Sequence, residues 1–186
     1  MEFKKIQLNG FKSFAEKTNF LIEDGLTGIV GPNGCGKSNI VESLRWVMGE
    51  TSAKSMRGSG MEDVIFSGTS NKASKNIAEV SIEVENKDKE GPIQYRELEQ
   101  IQVRRKIEKD KGSKFYINDK EVRARDAQMF FADLSTGAHS PSMISQGRIG
   151  ALVTAKPTDR RAILEEAAGI SGLHVRRHEA ELRLGA

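Results

Sequence analysis

The pattern of apolar and polar residues predicts short strands near the start of the chain. Residues 3–8 nearly alternate, as a strand with one buried face does, and residues 18–22 offer a second strand after a turn at residues 10–14. Residues 26–30 are apolar and bounded by glycines, which predicts a buried strand. Residues 64–66 predict a further short buried strand.

Two hairpins are predicted in the middle of the chain. Residues 76–85 alternate cleanly, and residues 98–107 repeat the pattern except that Arg105 falls on the apolar face. The polar connection between them predicts an antiparallel pair. Residues 114–117 and 121–122 flank a polar turn and predict the second hairpin.

Helical spacing of apolar residues appears in three places. The first helix begins at Lys37 and ends near Gly49, a residue that suits a helix C-terminus. The second contains Ala127, Phe130 and Phe131. The third follows Pro157, which is favourable in a first helical turn. Beyond residue 171 the chain becomes highly charged, with a composition typical of a further helix.

Composition narrows the function classes. The 186 residues are 37% hydrophobic and 30% charged, which is enough apolar material for a folded core. No apolar run approaches the length of a membrane span, and the single cysteine, Cys35, excludes an intramolecular disulfide. We therefore expect a cytoplasmic protein without a membrane partner.

The positive charge is concentrated in one region. Residues 101–125 contain nine basic and four acidic residues, so this window carries +5 while the whole chain carries +3. Such a region attracts phosphate backbones without reading base sequence. The alternative is a solvated hairpin whose cations face acidic neighbours such as Glu83 and Glu85.

One motif carries specific chemistry. A strand, a glycine-rich loop and a helix follow one another, and the loop fits the pattern G-x-x-x-x-G-K-[S/T]. Its residues are Gly31, Pro32, Asn33, Gly34, Cys35, Gly36, Lys37 and Ser38. Glycines let backbone N–H groups surround an anion at a helix N-terminus. We expect Lys37 to reach the β- and γ-phosphates of a nucleotide and the Ser38 hydroxyl to ligate Mg²⁺.

Parts of a complete ATPase are missing from the sequence. Such an enzyme also needs an acidic Mg²⁺ ligand at the end of a buried strand. The nearest candidate, residues 129–133, has helical spacing, and no Leu-Ser-Gly-Gly signature occurs. The acidic Mg²⁺ ligand and the signature motif must therefore come from another segment of the polypeptide or from another subunit.

Several blocks in order resemble the structural maintenance of chromosomes (SMC) family in its bacterial form. They are residues 6–14, 31–39, 46–50, 56–58, 63–66, 144–149 and 160–170. The resemblance implies an α/β fold, namely a P-loop NTPase head of the ABC type, with a mixed or antiparallel sheet and the start of a coiled coil. It implies that residues 1–170 form the N-terminal lobe and residues 171–186 begin the outgoing coiled coil.

The resemblance also assigns roles residue by residue. Gln146 matches the glutamine-loop residue that ligates Mg²⁺ and senses the attacking water. Arg57 matches an arginine that reaches the nucleotide phosphates, and Asn39 closes the phosphate-loop block. Lys12, Ser13 and Asp63 lie where the family approaches the base and ribose. The implied cofactors are ATP and Mg²⁺.

The implied function is the ATP-binding half of a head that dimerises on ATP to drive chromosome condensation and segregation. The implied partners are the C-terminal head lobe of the same full-length chain, a second head, DNA and a kleisin-type accessory subunit. The implied location is the nucleoid.

Two alternative functions stay open. One is the head lobe of another coiled-coil ATPase of DNA repair, and the other is a DNA-binding module in which ATP is incidental.

Overall fold

The computed structural model describes residues 1–87, 89, 92–134, 153–158, 160–161, 164, 177, 181 and 184. A six-stranded antiparallel sheet with the order β2-β1-β3-β4-β5-β6 forms its frame. The strands are β1 (Glu2–Asn9), β2 (Thr18–Leu21), β3 (Ile77–Glu85), β4 (Gln100–Glu108), β5 (Gly112–Ile117) and β6 (Lys120–Val122). The helices are α1 (Lys37–Val47) and α2 (Ala124–Asp133), with single 3₁₀ turns at Lys54–Met56, Met61–Val64 and Ile93–Tyr95.

The core lies between one face of the sheet and the two helices. Alternate residues of β3 and β4 point into it, so that Ile82 pairs with Val103 and both are fully buried. Helix α1 contacts β3 and β4, and α2 contacts β5. The indole of Trp46 on α1 is fully buried beside Phe11. This packing holds α1 against the sheet, and the phosphate loop leads into the first turn of this helix.

The two predicted hairpins are confirmed. Strands β3 and β4 pair over their whole length, and β5 and β6 are joined by a two-residue turn at Asn118 and Asp119. Both turn residues have positive φ, 47° and 63°, a conformation that asparagine and aspartate tolerate better than most residues. The predicted helices at residues 37–48 and around Phe130 are confirmed as α1 and α2.

The predicted buried strand at residues 26–30 is wrong. These residues form no strand, and Leu26 and Val30 are 100% and 94% exposed. A strand is buried only if neighbouring strands and layers cover it. In the described part of the chain, β1 is hydrogen-bonded to β2 on one side and to β3 on the other. Residues 26–30 therefore cannot pair with β1 as an additional strand.

The segment at residues 64–66 is buried as predicted, but it is not a regular strand. Val64 ends a 3₁₀ turn, and Ile65 makes one isolated bridge with Phe11. The backbone is held instead by two hydrogen bonds, from Lys12 N–H to the Val64 carbonyl at 2.7 Å and from Phe66 N–H to the Gly10 carbonyl at 2.8 Å.

The third predicted helix and the charged final segment lie mostly outside the described residues. The residues described there, such as Pro157, Leu164 and Arg177, are helical. Arg177 also contacts Glu181 at 3.3 Å, one helical turn away. No helix among the described residues has both the length and the apolar character that a membrane crossing requires.

Candidate nucleotide site

The phosphate loop leads into α1 through two glycines with left-handed backbones. Gly34 has φ 83° and Gly36 has φ 96°. A Cβ at Gly36 would lie 2.4 Å from the Ser13 hydroxyl oxygen. A side chain at this position is therefore excluded twice, by backbone conformation and by the approach of the turn that carries Ser13.

Backbone donors at the start of α1 are available to an anion. The N–H groups of Gly36, Lys37 and Ser38 donate no hydrogen bond to any other described residue, as expected at a helix N-terminus. The helix dipole adds a positive potential at the same place. The loop thus presents converging donors of the kind that bind phosphate groups.

The Lys37 ammonium lies over this loop. It donates to the carbonyl oxygens of Gly31 at 2.5 Å and Pro32 at 2.7 Å. It also lies 3.8 Å from the Sγ atom of Cys35, which is exposed. These contacts hold the flexible Lys37 side chain against the loop, so that its positive charge lies at the loop.

A hydrogen-bonded network adjoins the loop and joins three separate segments of the chain. The Asn39 amide donates to the Ser13 hydroxyl at 2.9 Å and accepts from Arg57 Nη2 at 3.0 Å. Arg57 Nε pairs with Glu42, and Lys12 Nζ pairs with the same carboxylate. The structure therefore brings together four of the predicted site residues: Lys12, Ser13, Asn39 and Arg57.

Glu42 is the member of this network that sequence reasoning missed. It lies on the second turn of α1 and is only 8% exposed. The sequence carried no clear signal for this residue, because the helix face that buries Ile40, Ser43 and Trp46 is recognised only in the structure. A glutamate is seldom buried unless it is paired, and the two cationic partners of Glu42 agree with this rule.

Asp63 has a different environment from the other predicted residues. Its carboxylate accepts hydrogen bonds from the Ser59 N–H at 2.6 Å, the Ser59 hydroxyl at 2.9 Å and the Gly60 N–H at 3.0 Å. Donation by Gly60 and Ser59 to the ionised form holds the pKa of Asp63 below its ordinary value. Its contacts thus stabilise its own loop.

Gln146 lies outside the described residues, so the structure does not place it. Among the described residues, no group of three or more His, Cys, Asp or Glu could hold a metal ion. The donor set at the loop nevertheless fits Mg²⁺ bound together with phosphate oxygens, because the exposed Ser38 hydroxyl stands beside the free backbone donors.

The basic region at residues 101–125 is only partly neutralised by ion pairs. The carboxylates that pair with it are not the predicted ones, Glu83 and Glu85. Arg104 contacts Asp119 at 2.9 Å, and Lys114 contacts Glu121 at 3.0 Å. Glu83 and Glu85 pair instead with lysines outside the window, namely Lys4, Lys5 and Lys87. Apart from the buried Arg105, which donates to carbonyl oxygens, four cations of the window have no carboxylate partner among the described residues: Lys106, Lys109, Lys120 and Arg123.

Comparison with known families gives a consistent match over most of the chain. The family described as "RecF/RecN/SMC N terminal domain" matches residues 2–148. A protein named chromosome partition protein Smc from Cereibacter sphaeroides is 57% identical over 186 residues, which are 100% of this chain and 16% of that protein. Its namesake from Rhodopseudomonas palustris is 54% identical over the same shares. The chain thus spans 16% of the length of these relatives.

Solved structures agree with the sequence match. A crystal structure of an Smc head bound to the C-winged helix domain of ScpA superposes with a TM-score of 0.85 at 31% identity, over 92% of this chain and 52% of that one. An Smc head from Pyrococcus furiosus, bound to the C-terminal domain of ScpA, gives 0.83 at 30% identity over 98% and 46%. A structure described for ATP-driven dimerization and DNA stimulated activation of SMC ATPases gives 0.76 at 31% identity over 90% and 99%.

Proposed function

Because the chain belongs to the RecF/RecN/SMC N-terminal domain family, we propose that it is the ATP-binding lobe of an SMC-type ATPase head. In this proposal, pairing of two heads on ATP drives chromosome condensation and segregation. The observation that carries it is the phosphate loop, whose free N–H donors and Lys37 ammonium lie beside the network of Ser13, Asn39 and Arg57. The named relatives favour this function over the DNA-repair alternative.

Different residues of the chain would contact different parts of a nucleoside triphosphate. Backbone N–H groups at the start of α1 receive the β-phosphate, and Lys37 moves from the loop carbonyls to bridge the β- and γ-phosphates. Arg57 offers its guanidinium to charge that develops on the γ-phosphate. Mg²⁺, held by the Ser38 hydroxyl and Gln146 when bound, would neutralise phosphate charge. Lys12, Ser13 and Asp63 would line the base and ribose side.

The remaining half of the site would come from a C-terminal lobe of the full-length protein. Residues 26–30 expose apolar side chains immediately before the phosphate loop, at a place where the described residues provide no cover. Exposed apolar surface of this kind marks an interaction site. A C-terminal lobe that pairs with this segment would bury it and bring an acidic Mg²⁺ ligand to the loop.

Two consequences follow for the chain by itself. Residues 1–170 would act as one lobe, with residues 171–186 as the start of a coiled coil that leads toward the rest of the protein. The isolated chain would bind ATP but hydrolyse it very slowly, since the acidic and signature motifs would lie on the other lobe.

DNA and a kleisin-type subunit are the proposed macromolecular partners on the nucleoid. Besides the buried Arg105, four cations of residues 101–125 have no carboxylate partner among the described residues, and their positive charge is available to phosphate backbones. A kleisin is proposed because related heads were solved with domains of ScpA.

The test of the ATP site is Lys37→Ala in the 186-residue chain, with Lys72→Ala on an exposed loop as the matched control. We expect the first variant to lose at least about tenfold in ATP affinity by calorimetry, because a charge-assisted contact to phosphate is removed. The control should bind ATP normally. Equal ATP affinity for wild type and Lys37→Ala would reject the site. Salt-dependent DNA binding together with undetectable ATP binding would favour the DNA-binding module.

A further inference from the structure

A single buried carboxylate connects the two cations beside the phosphate loop. Glu42 Oε1 pairs with Arg57 Nε, and Glu42 Oε2 pairs with Lys12 Nζ. The Lys12 ammonium also donates to the carbonyl oxygen of Met56, the residue before Arg57. Both oxygens of Glu42 are therefore engaged, and each holds a different segment against α1.

The guanidinium of Arg57 is held along one edge only. Its Nε and Nη2 atoms contact Glu42 and Asn39, whereas Nη1 has no hydrogen-bond partner among the described residues. The side chain remains 57% exposed. A planar guanidinium fixed along one edge can present its other edge to a phosphate with little loss of side-chain entropy.

The backbone supports the same interpretation. Lys12 and Arg57 both have left-handed φ values, 46° and 54°, although neither is glycine. Such conformations are unfavourable and persist where surrounding contacts determine them. Glu42 is the shared contact of these two residues. Buried ion pairs alone contribute little net stability, so an orienting role explains this arrangement better than stabilisation does.

We propose that Glu42 is a positioning residue, which fixes Arg57 in the orientation needed at the nucleotide phosphates and ties the Lys12–Ser13 turn to that orientation. The inference rests on the proposed ATP site. Glu42 touches no nucleotide in this account and acts through Arg57. Its effect on catalysis should therefore depend on the presence of Arg57.

A double-mutant cycle on the complete head, with this chain as its N-terminal lobe, tests the proposal. We expect Glu42→Gln to lower kcat for ATP about tenfold while KM changes less than threefold, because orientation at the reacting phosphate is lost. In an Arg57→Ala background, the same substitution should change kcat less than twofold. Equal factors in both backgrounds would overturn the proposal.

Controls separate a folding defect from a positioning defect. Glu16→Gln, at an exposed carboxylate that pairs with Lys75 at 3.7 Å, should leave kcat unchanged. If Glu42→Gln does not fold, the test is repeated in a Lys12→Met background. The kcat of Lys12→Met is then compared with that of Lys12→Met/Glu42→Gln, in which both charges of the Lys12–Glu42 ion pair are removed. In this background the second substitution must again lower kcat, and an unchanged kcat would overturn the inference.

Failure of the proposed function gives a different result. If the loop were not the ATP site, Lys37→Ala would leave turnover of the complete head intact. If only the role of Glu42 were wrong, Lys37→Ala would abolish turnover and the effects of Glu42→Gln and Arg57→Ala would simply multiply.

Discussion

Among single residues, Arg105 shows how this fold accommodates a charge inside its core. Arg105 is 3% exposed, and its guanidinium lies over the rings of Trp46 and Phe115, 4.6 Å from each centroid. Its Nη1 donates to the carbonyl oxygens of Trp46 and Glu50, both at 2.7 Å. Burial lowers the pKa of Arg105 to about 10, so the group stays charged at neutral pH.

Arg105 therefore joins β4 to the end of α1. We predict that Arg105→Ala destabilises the chain by about 3 kcal/mol, because the carbonyls of Trp46 and Glu50 lose their hydrogen bonds from the guanidinium and a cavity opens between the aromatic rings. Urea unfolding followed by circular dichroism measures this change.

Lys106→Ala on the opposite face of β4 is the matched control, and its expected cost is below about 0.5 kcal/mol. A cost for Arg105→Ala as small as that of the control would show that the carbonyl contacts contribute nothing to stability.

The sequence predicted some residues of the candidate site from a local motif and others only from a family resemblance. The motif at residues 31–38 was sufficient to place Lys37 and Ser38 at the start of a helix, which the structure shows as α1, and their roles toward phosphate and Mg²⁺ stay predictions. Arg57 and Lys12 came from a resemblance, and they meet at Glu42, which lies 15 residues before Arg57 and 30 residues after Lys12 in the chain. No local pattern encodes such long-range contacts.

At the scale of elements, alternation was a reliable guide where a strand has one buried face. β1, β3 and β4 were predicted almost to their ends, and Arg105 was correctly placed on the apolar face of β4. The pattern failed at residues 26–30. An apolar segment indicates a preference for burial, but it does not indicate which element packs against it.

This segment gives a prediction about assembly. We predict that Leu26→Ser/Val30→Ser leaves the stability of the isolated chain within about 0.5 kcal/mol of wild type, since both side chains are already exposed. The same pair should weaken binding of a C-terminal lobe by at least about tenfold, because each apolar side chain loses burial worth about 1.5–3 kcal/mol.

Titration of the C-terminal lobe by calorimetry measures that effect. Ile93→Ser is the matched control, since Ile93 is 76% exposed on a separate 3₁₀ turn. Normal lobe binding by the double variant would mean that the lobe docks elsewhere, and impaired binding by the control would indicate a nonspecific hydrophobic effect.

On the scale of the whole molecule, the chain matches only part of the proteins that it resembles. It spans 16% of the length of its relatives, and its fold matches about half of a solved Smc head. The sheet and α1 support a phosphate loop, the turn at Lys12 and the loop at Arg57 meet beside it, and the apolar segment before it is open. In the proposed function, these features form one half of a nucleotide site, and a C-terminal lobe would supply the second surface.

The most direct test of this account is whether ATP pairs two complete heads that carry this chain. Sedimentation velocity should show monomers without nucleotide and dimers with ATP and Mg²⁺, under conditions in which hydrolysis is slow. The dimer should be absent for Lys37→Ala and retained for Lys72→Ala. Pairing that is independent of ATP, or equally strong in Lys37→Ala, would contradict the assignment of residues 31–38 as the site that controls head engagement.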